Sequence, residues 1–238
     1  MKLGKFYGVG VGPGDPELLT IKALNRLRSV DVLCYPACRP GAGSYALRIV
    51  QELVGERAEL KGLLFPMERE MERLVPIWKE SVAEIYADLS AGREVAFITE
   101  GDPFFYSTFV YLYDLMRQLH PDVTMEVIPG VSSVMAASVR AGVPLAMADE
   151  RMAVLPATYE DAYLKEALDQ FDTVVFIKVS SVLPKLIALL EQMKLIDRAV
   201  MVERCGSAEE RLVRDLATLK EERLNYLSLV IVKKNKIV

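Results

Sequence analysis

Three short stretches of the chain bring together residue types from which a ligand site is built. Gly8-Val9-Gly10-Val11-Gly12-Pro13-Gly14-Asp15-Pro16-Glu17-Leu18-Leu19-Thr20 stands near the start, and Thr99-Glu100-Gly101-Asp102-Pro103-Phe104-Phe105-Tyr106-Ser107-Thr108 stands mid-chain. Ile128-Pro129-Gly130-Val131-Ser132-Ser133-Val134 follows. Each succeeds an apolar strand-like run and precedes a helix-like one. Flexible backbone is thereby placed at the carboxyl end of a strand, the edge at which open α/β sheets take their ligands. Glycine there lets main-chain N–H and C=O groups approach a bound molecule, and proline stiffens the turn. Asp15, Asp102 and Ser132 can each cap the helix that follows. The Asp102 carboxylate can equally accept hydrogen bonds from a ribose or an amino group. Ser132 and Ser133, small residues at a helix start, leave space and donors for a ligand.

Other chemistries fail on spacing or supply. A dinucleotide fingerprint needs a third glycine where Pro13 or Asp15 stands, and no Gly-Lys-Ser/Thr follows to make a phosphate loop. His120, followed by Pro121, is the single histidine, so a Ser-His-Asp triad or a multi-histidine metal centre is hard to build. Cys34, Cys38 and Cys205 cannot all pair, and no second CxxC or histidine pair completes a zinc site. They read as reduced thiols packed as small hydrophobes. A net charge of −4 with scattered Lys and Arg gives nucleic-acid binding little support. No stretch approaches the ~20 apolar residues of a membrane span. The N-terminus runs straight into glycine, leaving no room for a signal peptide, and a soluble cytoplasmic protein is expected.

The elements that position these stretches alternate between apolar, β-branched runs and helical periodicity, which predicts an α/β fold. Strands are expected at Phe6–Val11, Val30–Tyr35, Glu59–Leu64, Glu94–Thr99 and Thr124–Ile128, then at Met152–Leu155, Thr173–Lys178, Ala199–Glu203 and Leu227–Val232. Helices are expected at Glu17–Leu27, Ser44–Leu53, Glu68–Ala91, Ser107–Leu119, Ser133–Ala141, Tyr159–Asp169, Val182–Met193 and Glu209–Leu216. The third must kink or break at Pro76. Gly92 and Gly142 fit left-handed helix stops. His120-Pro121-Asp122 interrupts the apolar pattern and suggests two domains, 1–122 and 123–238.

The three stretches, in this order, resemble the tetrapyrrole methylases of cobalamin and siroheme synthesis, and the resemblance extends over essentially all 238 residues. Within that family the chain is most similar to the branch that methylates C-20 of precorrin-2 or cobalt-factor II. The residues carrying that likeness are Pro36-Ala37-Cys38-Arg39, Phe65-Pro66-Met67, Phe97-Ile98-Thr99, Phe105-Tyr106-Ser107-Thr108 and Ile177-Lys178-Val179. The resemblance implies two α/β domains, with S-adenosylmethionine as methyl donor in the cleft between them, and a homodimer. It implies that Pro13, Gly101 and Asp102 line the cofactor site, that Phe105 closes against it, and that Ser132 and Ser133 occupy the family's Ser/Thr contact position. Lys178 stands where the family often carries Met or another long residue. Gly206 matches a glycine near a cofactor contact, although Cys205 looks like an insertion there.

Such chemistry fits the lack of a triad, because the sulfonium methyl is already electrophilic and the reduced tetrapyrrole is a carbon nucleophile. The protein must mainly align the two. No metal ligand set is apparent, so any metal would arrive with the macrocycle. Asp102 is a possible proton acceptor, with capping or cofactor contact the favoured role. The substrate's carboxylates call for cations. Arg39 is the first candidate, in a loop among Gly41, Ala42, Gly43 and Ser44, while Arg48, Lys61 and Arg69 are weaker ones. Rival readings are a Rossmann-type methyltransferase, which leaves the later motifs unexplained, and a non-catalytic tetrapyrrole carrier, which has no use for intact cofactor motifs. Nearer alternatives are another regiospecific corrin methylase and, more distantly, diphthine synthase.

Overall fold

The computed structural model describes residues 2–39, 41–66, 68 and 70–235. Met67 and Arg69, both named above, lie outside the described residues. The chain divides into two compact units, one ending at Ser132 and the other beginning at Ser133.

The first unit contains β1 (Phe6–Gly10), α1 (Ile21–Leu27), β2 (Val32–Ala37), α2 (Tyr45–Val50), β3 (Glu59–Leu64), α3 (Met71–Ser90), β4 (Val95–Thr99), α4 (Phe109–Leu119) and β5 (Met125–Ile128). Its five strands form one sheet in the order β3-β2-β4-β1-β5, every neighbouring pair parallel. Side chains alternate across a strand. Tyr7, Val9 and Ile98 therefore pack on one face against Ala23 and Leu27 of α1 and Ala46, Ile49 and Val50 of α2. Phe6, Val95 and Phe97 pack on the other against α3 and α4. Gly8 leaves room on that second face for the Phe109 ring, since a Cβ there would lie 2.1 Å from its Cζ.

The division differs from the one expected at 122/123. β5 is the fifth strand of the first sheet, in register with β1 from Phe6↔Met125 to Val9↔Ile128. The polar His120-Pro121-Asp122 interruption is only the loop that returns the chain from α4 to the sheet. The expected first helix is also shorter. Asp15 caps a 3₁₀ turn over Pro16–Leu18, accepting from the Glu17 N–H at 2.8 Å. The α-helix then starts at Ile21, with Thr20 Oγ1 accepting from the Ala23 N–H at 3.1 Å. Helix α3 runs unbroken through Pro76. Proline there removes one N–H near the helix start, and the apolar stripe of Leu74, Trp78, Val82, Ile85 and Leu89 holds the rest. Gly92 and Gly142 do stop their helices with positive φ, 81° and 65°.

The second unit contains α5 (Ser133–Ala141), β6 (Met152–Pro156), α6 (Asp161–Gln170), β7 (Thr173–Ile177), α7 (Leu183–Gln192), β8 (Ala199–Glu203), β9 (Arg211–Val213) and β10 (Ser228–Lys233). Its sheet has the order β6-β7-β10-β8-β9, with β6 and β7 parallel and the remaining pairs antiparallel. The helix expected over Glu209–Leu216 is absent. Leu212 pairs with Val202 in an antiparallel edge strand, and a 3₁₀ turn at Leu216–Leu219 follows. Tertiary pairing overrides a weak helical pattern there.

One ion cluster gives the first unit a pH dependence. Glu126 of β5 accepts from Lys5, at 2.5 Å, and from Lys22 of α1. The Lys22 and Lys5 ammonium groups hold its carboxyl down at about 2, against an ordinary value of 4.5. A depressed folded-state value means that the stabilisation is present above pH 4.5 and is lost as pH falls toward 2. Glu126→Gln should therefore cost about 1 kcal/mol at neutral pH, allowing for solvent screening. In urea unfolding the difference from the parent should shrink below pH 4.5 and disappear near 2. A pH-independent difference would rule out the charge as its origin.

Candidate functional site

Strands β1 and β4 are neighbours, yet the chain leaves β1 toward β2 and leaves β4 toward β5, on opposite sides of the pair. Such a reversal opens a crevice at the carboxyl ends of parallel strands. All three glycine-bearing stretches meet there. The loops after β1 and β4 are joined by reciprocal hydrogen bonds, Gly101 N–H to the Gly12 carbonyl at 2.8 Å and Gly12 N–H to the Gly101 carbonyl at 3.3 Å. Gly12 and Gly101 have φ of 78° and 63°, values that favour glycine. Gly10 and Gly130 serve a different need. A Cβ on Gly130 would stand 2.2 Å from the Gly101 carbonyl oxygen, and one on Gly10 2.6 Å from it.

The Asp102 carboxylate joins the third loop to this knot. One oxygen accepts from the Phe104 N–H at 2.9 Å and the other from the Gly130 N–H at 3.1 Å. It does not cap α4. Thr108 holds the N-cap position without a side-chain bond, and Ser107 just ahead of it has its Oγ accepting from the Phe109 N–H at 3.1 Å and lying 2.9 Å from Thr99 Oγ1. Between them Tyr106 takes a left-handed φ of 55°. The aromatic run then divides, because Phe109 is core while Phe104, Phe105 and Tyr106 are 52%, 38% and 49% exposed. Three aromatic rings thus remain exposed in the loop that Asp102 ties to Gly130.

Pro13 is buried, and its carbonyl accepts from the Tyr45 hydroxyl at 3.4 Å. Sequence reasoning missed Glu100, whose carboxyl is pushed above the usual range by burial, against the lowering effect of the Glu100 and Ala46 N–H groups. The available signal was a carboxylate set between a strand's last residue and the Gly101 turn. Ser133 opens α5 and is exposed, and Ser132 immediately precedes it.

In the second unit Lys178 is exposed at the end of β7, with a left-handed φ of 57°. Gly206 lies in the turn after β8, with φ of 80°. Its N–H donates to Glu210 at 2.7 Å, so this donor is already engaged within the turn. Cys205 is buried in the same turn, its thiol pushed up to about 12 chiefly by burial and then by Glu210. It behaves as part of the turn's packing, in keeping with an inert structural thiol.

Of the expected cations, Arg39 is exposed just beyond β2, on the carboxyl edge that carries the three loops. Arg48 is also exposed, its guanidinium 5.1 Å from the Tyr45 ring centre. Lys61 is unsuited to a ligand. It donates to Asp88 at 2.7 Å and lies 3.5 Å from Glu59, which leaves its charge neutralised within the fold. His120 ends α4 with its ring stacked on Tyr86 at 3.6 Å. Among the described residues no cluster of three metal-capable side chains occurs, and no helix is long and apolar enough to cross a membrane.

Residues 5–220 match the family model for Tetrapyrrole (Corrin/Porphyrin) Methylases. The chain belongs to the tetrapyrrole methylase family. Among its relatives, the cobalt-precorrin-2 C(20)-methyltransferase of Salmonella typhimurium is 35% identical, with 97% of each chain covered. The precorrin-2 C(20)-methyltransferase of a Sinorhizobium species is 34% identical, over 97% of this methylase and 95% of the relative. The two-sheet architecture is also that of the uroporphyrin-III C-methyltransferase of Thermus thermophilus solved with S-adenosylhomocysteine. Its TM-score is 0.64 at 24% identity, with 97% of this methylase and 98% of that chain covered.

Proposed function

We propose that this methylase transfers a methyl group from S-adenosylmethionine to C-20 of precorrin-2 or cobalt-precorrin-2 in cobalamin synthesis. The observation that carries the reading is the likeness, over nearly the whole length, to relatives named for that reaction at 34–35% identity. The residues present suit the methyl donor. The Gly12–Gly101 bridge and the Asp102–Gly130 hydrogen bond fix main-chain groups at the carboxyl edge, and the exposed faces of Phe104 and Phe105 stand beside them. Pro13, Gly101, Asp102 and Phe105 are the contacts we assign in the first unit, together with Ser132. Ser133, Lys178 and Gly206 are those we assign in the second.

The donor supplies an electrophilic methyl group whose transfer needs no activated protein nucleophile. The chain's task is orientation, which can supply several kcal/mol of barrier lowering when reacting atoms are held in line. Asp102 serves that task by fixing loops, since both its oxygens already accept backbone N–H groups. Arg39, exposed at the same edge, pairs with a peripheral carboxylate of the macrocycle. Work as a homodimer in the cytoplasm completes the proposal, and light scattering of the purified protein checks the dimer.

Anaerobic incubation with S-adenosylmethionine and each tetrapyrrole in turn tests the reaction. Mass spectrometry should find one added methyl, and NMR should place it at C-20. A methyl at another carbon would make the chain a different regiospecific member of the family. Arg39→Ala should raise the tetrapyrrole KM about ten- to hundredfold and leave cofactor affinity unchanged, as loss of a charge-assisted hydrogen bond requires. Arg39→Lys should recover only part, because an ammonium cannot make the planar two-point pair. Parent-like kinetics in both variants would remove Arg39 from the substrate site.

A further inference from the structure

Glu210 has a role that neither the motifs nor the proposed reaction assigns. It stands just before β9, and its side chain is only 14% exposed. One carboxylate oxygen accepts from the Gly206 N–H at 2.7 Å and the other from Arg140 Nε at 2.7 Å. Arg140 lies in the last turn of α5, the helix that Ser133 opens. Arg214, just after β9, makes a second tie by donating to the Ala141 carbonyl at 2.7 Å. The turn being held is an unusual one. Arg204 and Gly206 both have positive φ, 49° and 80°, and a left-handed arginine persists only where its surroundings enforce it. Ser207 Oγ adds a bond to the Arg204 carbonyl at 2.9 Å and accepts from the Glu209 N–H at 3.1 Å.

We infer that Glu210 is a positioning residue for the methyl donor, setting the Gly206 turn and helix α5 in fixed relation so that Gly206 and Ser133 are presented together. The inference rests on the cofactor reading above. A carboxylate suits the task because it takes a backbone donor and a guanidinium at once, and both bonds are charge-assisted. The buried Cys205 thiol in the same turn provides a reporter of its closure.

The test uses the full chain with Cys38, the exposed cysteine, changed to Ser. Calorimetry with S-adenosylhomocysteine, steady-state kinetics, and iodoacetamide labelling of Cys205 followed by mass spectrometry are compared for the parent, Glu210→Ala, Glu210→Gln and Arg140→Met. Glu210→Ala should weaken S-adenosylhomocysteine about ten- to hundredfold and raise the KM for S-adenosylmethionine in parallel. At saturating donor its kcat should stay within about twofold of the parent, as expected when only donor binding is affected. Glu210→Gln, which retains an acceptor for Gly206, should fall between, and Arg140→Met should resemble it. Cys205 should be labelled faster in Glu210→Ala and protected again by S-adenosylhomocysteine. Unchanged affinity in Glu210→Ala, or a loss confined to kcat, overturns the inference while leaving the cofactor reading intact. Failure of the parent itself to bind S-adenosylhomocysteine overturns both.

Discussion

Gly130→Ala should be among the most damaging single-methyl additions to this protein. The new Cβ would lie 2.2 Å from the Gly101 carbonyl oxygen and 2.8 Å from the Gly10 carbonyl carbon. Both neighbours are backbone, so no rotamer change relieves the clash, and the loops after β1, β4 and β5 must part. Overpacking of this kind costs about 3 kcal/mol or more, a drop in Tm of roughly 6–12 °C for a chain of this size. Parting the loops also breaks the Gly130 N–H bond to Asp102, so affinity for S-adenosylhomocysteine should fall by about a hundredfold or more. Gly43→Ala is the control, because a Cβ there meets nothing within 4 Å. Its stability should stay within about 0.5 kcal/mol of the parent. Thermal unfolding and calorimetry measure both variants, and a parent-like Gly130→Ala would show that the three loops need not touch.

Asp102→Ala should have the second largest effect, by removing acceptors from two N–H groups rather than adding bulk. Each bond to a carboxylate is worth roughly 1.5–3 kcal/mol, and water replaces part of the loss at a half-exposed position. A fall in S-adenosylhomocysteine affinity of about ten- to hundredfold is expected, with the single-turnover rate of the saturated enzyme reduced only a few-fold. Asp102→Asn keeps one acceptor and turns an amide donor toward the other N–H, so it should fall between. Unchanged affinity with a collapsed single-turnover rate would instead make Asp102 the group that removes the C-20 proton.

The residues alone locate the edge but not the knot. Glycines and prolines after apolar runs placed three loops at strand ends, because turn chemistry is local. Which loops touch depends on strand order, and β4 lies between β2 and β1 only once the sheet is assembled. The same limit explains Asp102. From sequence it can cap the next helix or contact a ligand, whereas in the fold its second oxygen reaches Gly130, 28 residues away. Lys61 showed no sign of its partner, since Asp88 comes from α3, 27 residues further on.

The local sequence determined the alternation of strands and helices, the three loops and the family likeness. Each of these rests on the period of apolar residues or on short-range backbone preference, which the chain carries without its fold. Tertiary structure decided the rest. It gave β5 to the first unit, turned 211–213 into an edge strand, withdrew Lys61 into an ion pair and set Glu210 between Gly206 and Arg140. In each case the energy comes from a partner distant in sequence, and only the packed chain brings that partner within reach.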